Sequence, residues 1–535
     1  MERNLTKIKF NQKNASFINS SLAFEIIGLC VSIGISEFCV CPGGRNTSFV
    51  DCLEHYANDN IKTYFFYEER SAAFFALGRS KKTGRPIAVI TTSGTAVGEL
   101  LPAVMESFYS ENPLLLITAD RPKRFKGSGA PQTAEQEGIF GVYANYSQNI
   151  EYGDCINLKE WDQKKSAHLN VCLEESYEHT FNEILPLELS SNDNNQYVSE
   201  EISISNLINF LKLSKNPIAI VSTLLEKDRM SVVEFLEKLN IPVYCEGVSG
   251  IRENERLDSI RIKCPNKISI NEIDGIIRIG GVPTLRLWRD LEHQKINVIS
   301  ISHLPFSGLS WGGVEHVNIS QYLDDYVLYF ELEGLTPLKK SKLIIDDHRY
   351  WSQIEMLLNK NRESEQAFFY QISKFIPSKS QIFLGNSLSI RQWDQYATYQ
   401  NRDFKVFASR GLNGIDGQIS TFLGLCDPNV SNWAILGDLT SLYDLAGPWI
   451  MDQLEAKNIH IVIVNNGGGR IFSNLFKNRQ VQNNHSITFE YFAKLWNLNY
   501  VRWSNVVGVL SDYNIVEYTT NNSATNHFEL ELKGL

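Results

Sequence analysis

The chain has 535 residues, 43% hydrophobic and 21% charged, with a net charge of −10. That length exceeds what one hydrophobic core supports, so two or three domains are expected. The acidic balance argues against a nucleic-acid binder, which needs a basic face to neutralise phosphates. Nine cysteines, several inside apolar runs (Cys39, Cys41, Cys245), show no zinc spacing and fit reduced thiols in a cytoplasmic protein. The polar start, Met1-Glu2-Arg3-Asn4, leads into no secretory segment, and no eighteen apolar residues run together, so no membrane span is expected.

From 16 to about 186 helical and strand-like segments alternate. Residues 23–33 read as an apolar helix and 37–41 as a short strand, followed by the turn Pro42-Gly43-Gly44-Arg45-Asn46-Thr47. A strand over 62–67 ends at Glu68-Glu69-Arg70, where a helix over 71–80 begins. Residues 86–91 form a strand closed by Thr92-Ser93-Gly94-Thr95-Ala96, with a helix to about Ser110. The run 113–118 is a strand ending in Ala119-Asp120-Arg121-Pro122. Strand–turn–helix repeated this regularly predicts an α/β fold with a doubly wound parallel sheet.

The polar stretch 189–206 reads as a linker. A second α/β unit follows, with strands at 217–221, 242–245, 275–279 and 297–302, and another weakly patterned segment covers 333–347. A third begins with a helix over 350–360. Three doubly wound domains are therefore expected, at 1–188, 207–332 and 348–535. No repeat of 20–50 residues is evident, although the first and third domains could share a fold without sharing sequence.

The third unit holds the most informative stretch. A buried strand at 433–436 leads into Gly437-Asp438-Leu439-Thr440-Ser441, a helix is expected over 443–455, and a β-branched run at 459–464 ends in Asn465-Asn466-Gly467-Gly468. Both strands deliver polar residues at the carboxyl edge, where parallel sheets bind ligands. An aspartate carboxylate, an asparagine amide oxygen and an accessible glycine carbonyl are oxygen ligands of the kind Mg²⁺ prefers, with phosphates completing its shell. Two ordinary turns would use the same residue types.

Gly437-Asp438 followed by Asn466 after 28 residues resembles the thiamine diphosphate motif. Glu68-Glu69-Arg70-Ser71-Ala72 with Thr92-Ser93-Gly94-Thr95-Ala96 is also similar to thiamine enzymes in general. Cys41-Pro42-Gly43-Gly44-Arg45, Gly385-Asn386-Ser387-Leu388-Ser389-Ile390-Arg391 and Ser409-Arg410-Gly411-Leu412-Asn413-Gly414-Ile415-Asp416-Gly417 narrow the likeness. Together they resemble thiamine diphosphate-dependent 2-oxoacid decarboxylases, most closely the menaquinone-pathway 2-succinyl-5-enolpyruvyl-6-hydroxy-3-cyclohexene-1-carboxylate synthases. The resemblance implies a transferase that decarboxylates 2-oxoglutarate on thiamine diphosphate and adds the succinyl carbanion equivalent to isochorismate. It implies pyrimidine-binding, middle and diphosphate-binding domains in that order. Mg²⁺ (or Mn²⁺) and a homodimer or homotetramer follow, with the cofactor lying between subunits.

The resemblance assigns Glu69 to the aminopyrimidine, where a carboxylate at N1′ makes the 4′-amino group able to take the C2 proton. An isolated glutamate there would be read as complementing a helix dipole. Asp438, Asn466 and Gly468 are the expected metal ligands. Gly437, Leu439, Ile415, Phe472 and Leu475 are expected to line the cofactor, although core packing explains Ile415, Phe472 and Leu475 nearly as well. Arg45, Arg121, Arg391 and Arg410, with Gln132 and Ser387, suit two dicarboxylate substrates; Arg286 matches only a weak alignment. Three departures stand out: Gly44 replaces a usual serine, Pro131 a usual asparagine, and Arg470 follows the glycine run. Lost hydrogen-bond partners at Gly44 and Pro131 leave open a different acceptor or a slower enzyme. A pyruvate-using relative, a non-catalytic cofactor-binding paralogue and a dinucleotide-binding oxidoreductase are the rivals. The last lacks GxGxxG opening a helix.

Overall fold

The computed structural model describes residues 2–56, 61–175, 204–337, 342–473, 476, 478–504 and 513–535. Three sheets, each wholly parallel, are built along the chain. The first contains β1 (Glu37–Val40), β2 (Lys62–Phe65), β3 (Ile87–Thr91), β4 (Leu114–Asp120), β5 (Ala144–Ile150) and β6 (Ser166–Cys172), in the order β2-β1-β3-β4-β6-β5. The second contains β7 (Pro217–Val221), β8 (Val243–Cys245), β9 (Gly275–Ile279), β10 (Asn297–Ser302) and β11 (Glu315–His316), ordered β11-β10-β9-β7-β8. The third contains β12 (Gln381–Leu384), β13 (Lys405–Phe407), β14 (Asn432–Gly437), β15 (Ile459–Asn465), β16 (Asn499–Trp503) and β17 (Tyr513–Thr519), ordered β13-β12-β14-β15-β17-β16. The first and third orders are the same when the strands are renumbered within each sheet.

The chain separates into two compact units. One comprises Met1–Gln196, Gly411–Cys426 and Leu442–Glu455; the other comprises Tyr197–Arg410, Asp427–Ser441 and Ala456–Leu535 and holds the second and third sheets. In the first unit β3, β4 and β6 are buried at every position, as parallel strands covered on both faces must be. The helix Glu2–Ser32 puts Leu22, Ala23, Ile26, Ile27 and Cys30 at helical spacing into that core. Each buried aliphatic side chain contributes about 1.5–3 kcal/mol. The stretch Ala15–Ser32 is long and apolar enough for a membrane span, but 56% of it is buried inside the protein.

Helix Glu69–Thr83 is capped by the Glu68 side chain, which accepts the Ser71 N–H at 2.8 Å, and ends at left-handed Gly84. Helix Gln418–Leu425 crosses it at unusually close range. A Cβ on Gly78 would lie 2.1 Å from the Thr421 carbonyl oxygen, and one on Gly424 2.2 Å from that of Phe75. Only glycine allows this approach.

Several expected elements differ. The helix expected over 23–33 is the end of Glu2–Ser32, because its polar first half continues the same helix. The helix expected after Thr95 is two short ones, Thr95–Gly98 and Leu101–Ser110, the second opening with Pro102 in its first turn. The helix expected over 443–455 is instead Asp438–Tyr443 and a 3₁₀ segment, Gly447–Gln453, because Pro448 cannot donate to a continuing helix. Strands β5 and β6 carry enough Asn, Gln, Ser and His to hide their pattern. The linker stretch 189–206 lies outside the described residues as far as 203.

Candidate active site

The carboxyl edge of the third sheet gathers the polar groups in strand order. Arg410 follows β13, Ser387 and Arg391 follow β12, Asp438 follows β14, and Asn466 follows β15. With strands about 4.8 Å apart, this edge spans roughly 15 Å.

At its inner end Asp438 is 2% exposed. Oδ1 accepts the Leu439 N–H at 2.7 Å, while Oδ2 accepts those of Asn466, Gly467 and Gly468 at 3.1, 2.8 and 3.0 Å. Burial pushes this carboxyl above the ordinary aspartate value, against the pull of those N–H groups and of nearby His485. Among the described residues no lysine or arginine pairs with it.

Asn466 is oriented by a group absent from the sequence expectations. Glu365, first residue of helix Glu365–Phe375 and 1% exposed, accepts the Asn466 amide N–H at 3.2 Å. Burial holds the Glu365 carboxyl up at about 7. With its NH₂ so engaged, Asn466 Oδ1 is buried without a partner among the described residues. An orphaned oxygen beside a carboxylate lacking a cation fits an incoming hard metal ion. The Gly468 carbonyl already accepts the Arg470 N–H at 2.9 Å, which leaves it a second lone pair. Gly468 itself has φ +136, and a Cβ there would lie 2.6 Å from the Gln482 carbonyl oxygen. Gly437 and Leu439 flank Asp438, with the Gly437 carbonyl accepting the Ser441 hydroxyl at 3.0 Å.

At the outer end Arg410 donates to Asn386 Oδ1 at 2.9 Å, and the Asn386 amide donates to the Ser409 carbonyl at 2.8 Å. Arg391 donates to the Ser387 carbonyl. Burial, then the like charges of Arg410 and Arg289, press the Arg391 guanidinium below its usual value. Among the described residues no carboxylate forms an ion pair with Arg391, so this end is electropositive and suits anionic ligands. Ser387 occupies φ 71, ψ −116, a conformation costing a non-glycine residue about 1–3 kcal/mol and found at functional turns.

Arg286 does not join this group. It is exposed, 3.6 Å from Asp290 on its own helix, whereas Arg289 of that helix contributes to the field at Arg391. Phe472 is exposed, with its ring 5.8 Å from that of Phe476; Leu475 lies outside the described residues. Arg470 turns away to Asn522 and Asn526 of the last helix, so its charge is held off the glycine run.

The other unit carries the remaining residues at the carboxyl edge of the first sheet. Glu69 opens its helix after β2, half-buried, and Glu68 beside it is occupied as the helix cap. Burial raises the Glu69 carboxyl above the ordinary value, and Glu68 and Glu99 add to the rise. Arg45, after β1, donates to the Leu173 carbonyl at 3.2 Å. Arg121, after β4, donates through Nε to the Pro131 carbonyl at 2.9 Å. Pro131 thus tethers an arginine through its backbone whatever its side chain. Gln132 is exposed with φ 57, and its backbone packs against the Gly94 turn. A Cβ on Gly44 would meet open space, so the missing hydroxyl reflects no steric demand. Ile415 is half-buried on the loop that precedes helix Gln418–Leu425.

Comparison with known proteins agrees with this chemistry. Residues 21–139 match the family model described as thiamine pyrophosphate enzyme, N-terminal TPP binding domain. The fold and that match make the protein a thiamine pyrophosphate-dependent enzyme. A protein of Bdellovibrio bacteriovorus named 2-succinyl-5-enolpyruvyl-6-hydroxy-3-cyclohexene-1-carboxylate synthase is 41% identical over 527 residues, 95% of this chain and 98% of its own. One of the same name from Akkermansia muciniphila is 33% identical over 96% of this chain and 95% of its own, and one from Lysinibacillus sphaericus 27% over 92% of each. The chain belongs to the family of 2-succinyl-5-enolpyruvyl-6-hydroxy-3-cyclohexene-1-carboxylate synthases.

Proposed function

We propose that the protein decarboxylates 2-oxoglutarate and adds the four-carbon remainder to isochorismate by 1,4-addition, a step of menaquinone biosynthesis in the cytoplasm. The observation that carries the reading is the order of groups on one sheet edge. Two guanidiniums, Arg391 and Arg410, share the edge with a buried Asp438 and an Asn466 oxygen that have, among the described residues, no lysine or arginine and no hydrogen-bond partner respectively. The first pair suits substrate carboxylates and the second a metal-bound diphosphate.

In this reading Asp438, Asn466 Oδ1 and the Gly468 carbonyl hold Mg²⁺, for which Mn²⁺ can substitute, and Gly437 and Leu439 flank the diphosphate. Bound thiamine diphosphate supplies the electron sink that lets the 2-oxoacid lose carbon dioxide and leaves its remainder nucleophilic. Glu69, its carboxyl already raised by burial, shares a proton with N1′ of the aminopyrimidine. Ile415, Phe472 and Leu475 form apolar walls. Arg391 and Arg410 grip one dicarboxylate, and Arg45, Arg121, Gln132 and Ser387 position the other; Arg286 stands at the rim. Residues 1–188, 207–332 and 348–535 serve as pyrimidine-binding, middle and diphosphate-binding domains, and a homodimer or homotetramer completes each site.

The test is carbon dioxide release from labelled 2-oxoglutarate with Mg²⁺ and thiamine diphosphate. Turnover should accelerate when isochorismate is added. Glu69→Gln should lower turnover by roughly 100-fold or more with thermal stability unchanged. Equal turnover of the variant, or a preference for pyruvate, would overturn the assignment.

A further inference from the structure

The reading of the Asp438 edge as a metal–diphosphate site leaves one side chain unused. His485 is 11% exposed and belongs to a segment strapped across the glycine run. Its own N–H donates to the Gly467 carbonyl at 3.1 Å, and the Gly469 N–H donates to the Gln482 carbonyl at 2.5 Å. The close approach at Gly468 described above is to this same strap, so the glycines admit residues 482–485 as well as ligand.

The ring's proton can be placed from its surroundings. His485 Nδ1 accepts the Ile487 N–H at 3.1 Å. A ring nitrogen that accepts carries no hydrogen, so the neutral imidazole bears its proton on Nε2. Nε2 is buried, 3.4 Å from Asp438 Oδ2, and forms no hydrogen bond among the described residues. Oδ2 is already engaged by three backbone N–H groups. The ring is therefore a donor waiting beside an acceptor that is full. Asn466, whose backbone N–H donates to that same Oδ2, carries in its side-chain Oδ1 a buried acceptor with no donor among the described residues. One atom calls for a cation and the other for an anion, and buried groups left in this state each cost about 1–3 kcal/mol. A metal ion bound to a diphosphate satisfies both.

We propose that His485 is a cofactor-binding residue, donating Nε2–H to a diphosphate oxygen that the metal does not take. This rests on the diphosphate reading of the Asp438 edge. A metal-ligand role is ruled out by the same geometry, since the Ile487 contact removes the Nε2 lone pair from use.

The experiment compares the full-length wild type with His485→Asn and His485→Gln. An asparagine amide oxygen can replace Nδ1 as acceptor for Ile487 but places no donor where Nε2 lies. A glutamine N–H reaches that far. Thiamine diphosphate binding in Mg²⁺ is measured by calorimetry, and Mn²⁺ binding without diphosphate by its paramagnetic resonance signal. His485→Asn should weaken thiamine diphosphate roughly 10- to 100-fold. Mn²⁺ affinity should be unchanged, and His485→Gln should recover most of the loss. Wild-type diphosphate affinity in His485→Asn overturns the proposal, and so does a matching loss of Mn²⁺ affinity, which would make His485 part of the metal shell. A wild type that binds Mn²⁺ but no thiamine diphosphate overturns the diphosphate reading itself.

Discussion

The first and third sheets have one topology, yet the aspartates at their carboxyl edges are partnered differently. Asp120, ending β4, is 0% exposed and held by the Lys126 ammonium, by the Asn170 amide at 2.9 Å and by the Arg121 N–H at 2.7 Å. Asp438, after β14, has backbone N–H groups and a histidine but, among the described residues, no lysine or arginine. Burying a carboxylate without a counter-charge is costly, and the cost is met by a paired cation or by a raised pKa. The first sheet carries its cation in the chain, six residues after the aspartate. In the third, the proposed function gives that place to a metal ion. One topology thus holds a closed aspartate, Asp120 paired with Lys126 on the edge that also carries Glu69, Arg45 and Arg121, and an open one, Asp438, with no lysine or arginine beside it among the described residues.

The largest effect should come from the open edge. Asp438→Asn replaces the anionic ligand with an amide and is expected to weaken Mg²⁺-dependent thiamine diphosphate binding by at least roughly 100-fold, measured by calorimetry. Binding at wild-type affinity would end the contrast. At the closed edge Lys126→Met leaves Asp120 buried without its partner. Denaturant unfolding should then show a loss of about 3 kcal/mol. Metal affinity at the other edge should stay as it was. Unchanged stability would mean that the amide and backbone donors suffice for Asp120.

Much of this was legible before the structure. The runs 433–436 and 459–464 are apolar and β-branched, so the polar residues that end them had to fall on one sheet edge, and Asp438 and Asn466 do. Arg391 and Arg410 were readable through their motifs, and the structure adds that they share that edge. Glu365 and His485 were not readable. Glu365 stands 101 residues before Asn466 at the start of a helix, and its only sequence signal is the capping residue Ser364. His485 lies in an irregular strap with no periodicity, and only the glycine run's fold brings it to Asp438. Arg286 shows the reverse case. Its alignment suggested a site residue, yet helical geometry sends it to Asp290 and leaves Arg289, one turn on, nearer Arg391 in charge.

The smallest predicted effect concerns how completely the closed edge has neutralised itself. Behind Asp120, the Thr118 hydroxyl donates to Asn170 Oδ1 at 3.0 Å, so at 2.7 Å it accepts the Nε2 proton of His168. His168 Nδ1 is then a buried acceptor without a partner among the described residues, and protonating it would place a charge where none of them receives it. Burial accordingly lowers His168 to about 4, against about 6.5 in the unfolded chain. The unfolded state binds more protons between those values, so stability from this residue is full above about pH 6.5 and is lost as pH falls toward 4. The loss should be about 2 kcal/mol at pH 5. Asp394 and Asp444, both raised to about 7 by burial, act with the opposite sign, because the folded state takes up their protons first. The measurement is therefore a difference between wild type and His168→Gln, by denaturant unfolding at pH 5 and pH 7.5. The variant's stability relative to wild type should improve by about 2 kcal/mol on going to the lower pH. A difference independent of pH would mean that the first sheet admits a charge in its interior, and that its edge is less closed than Lys126 and Asp120 make it.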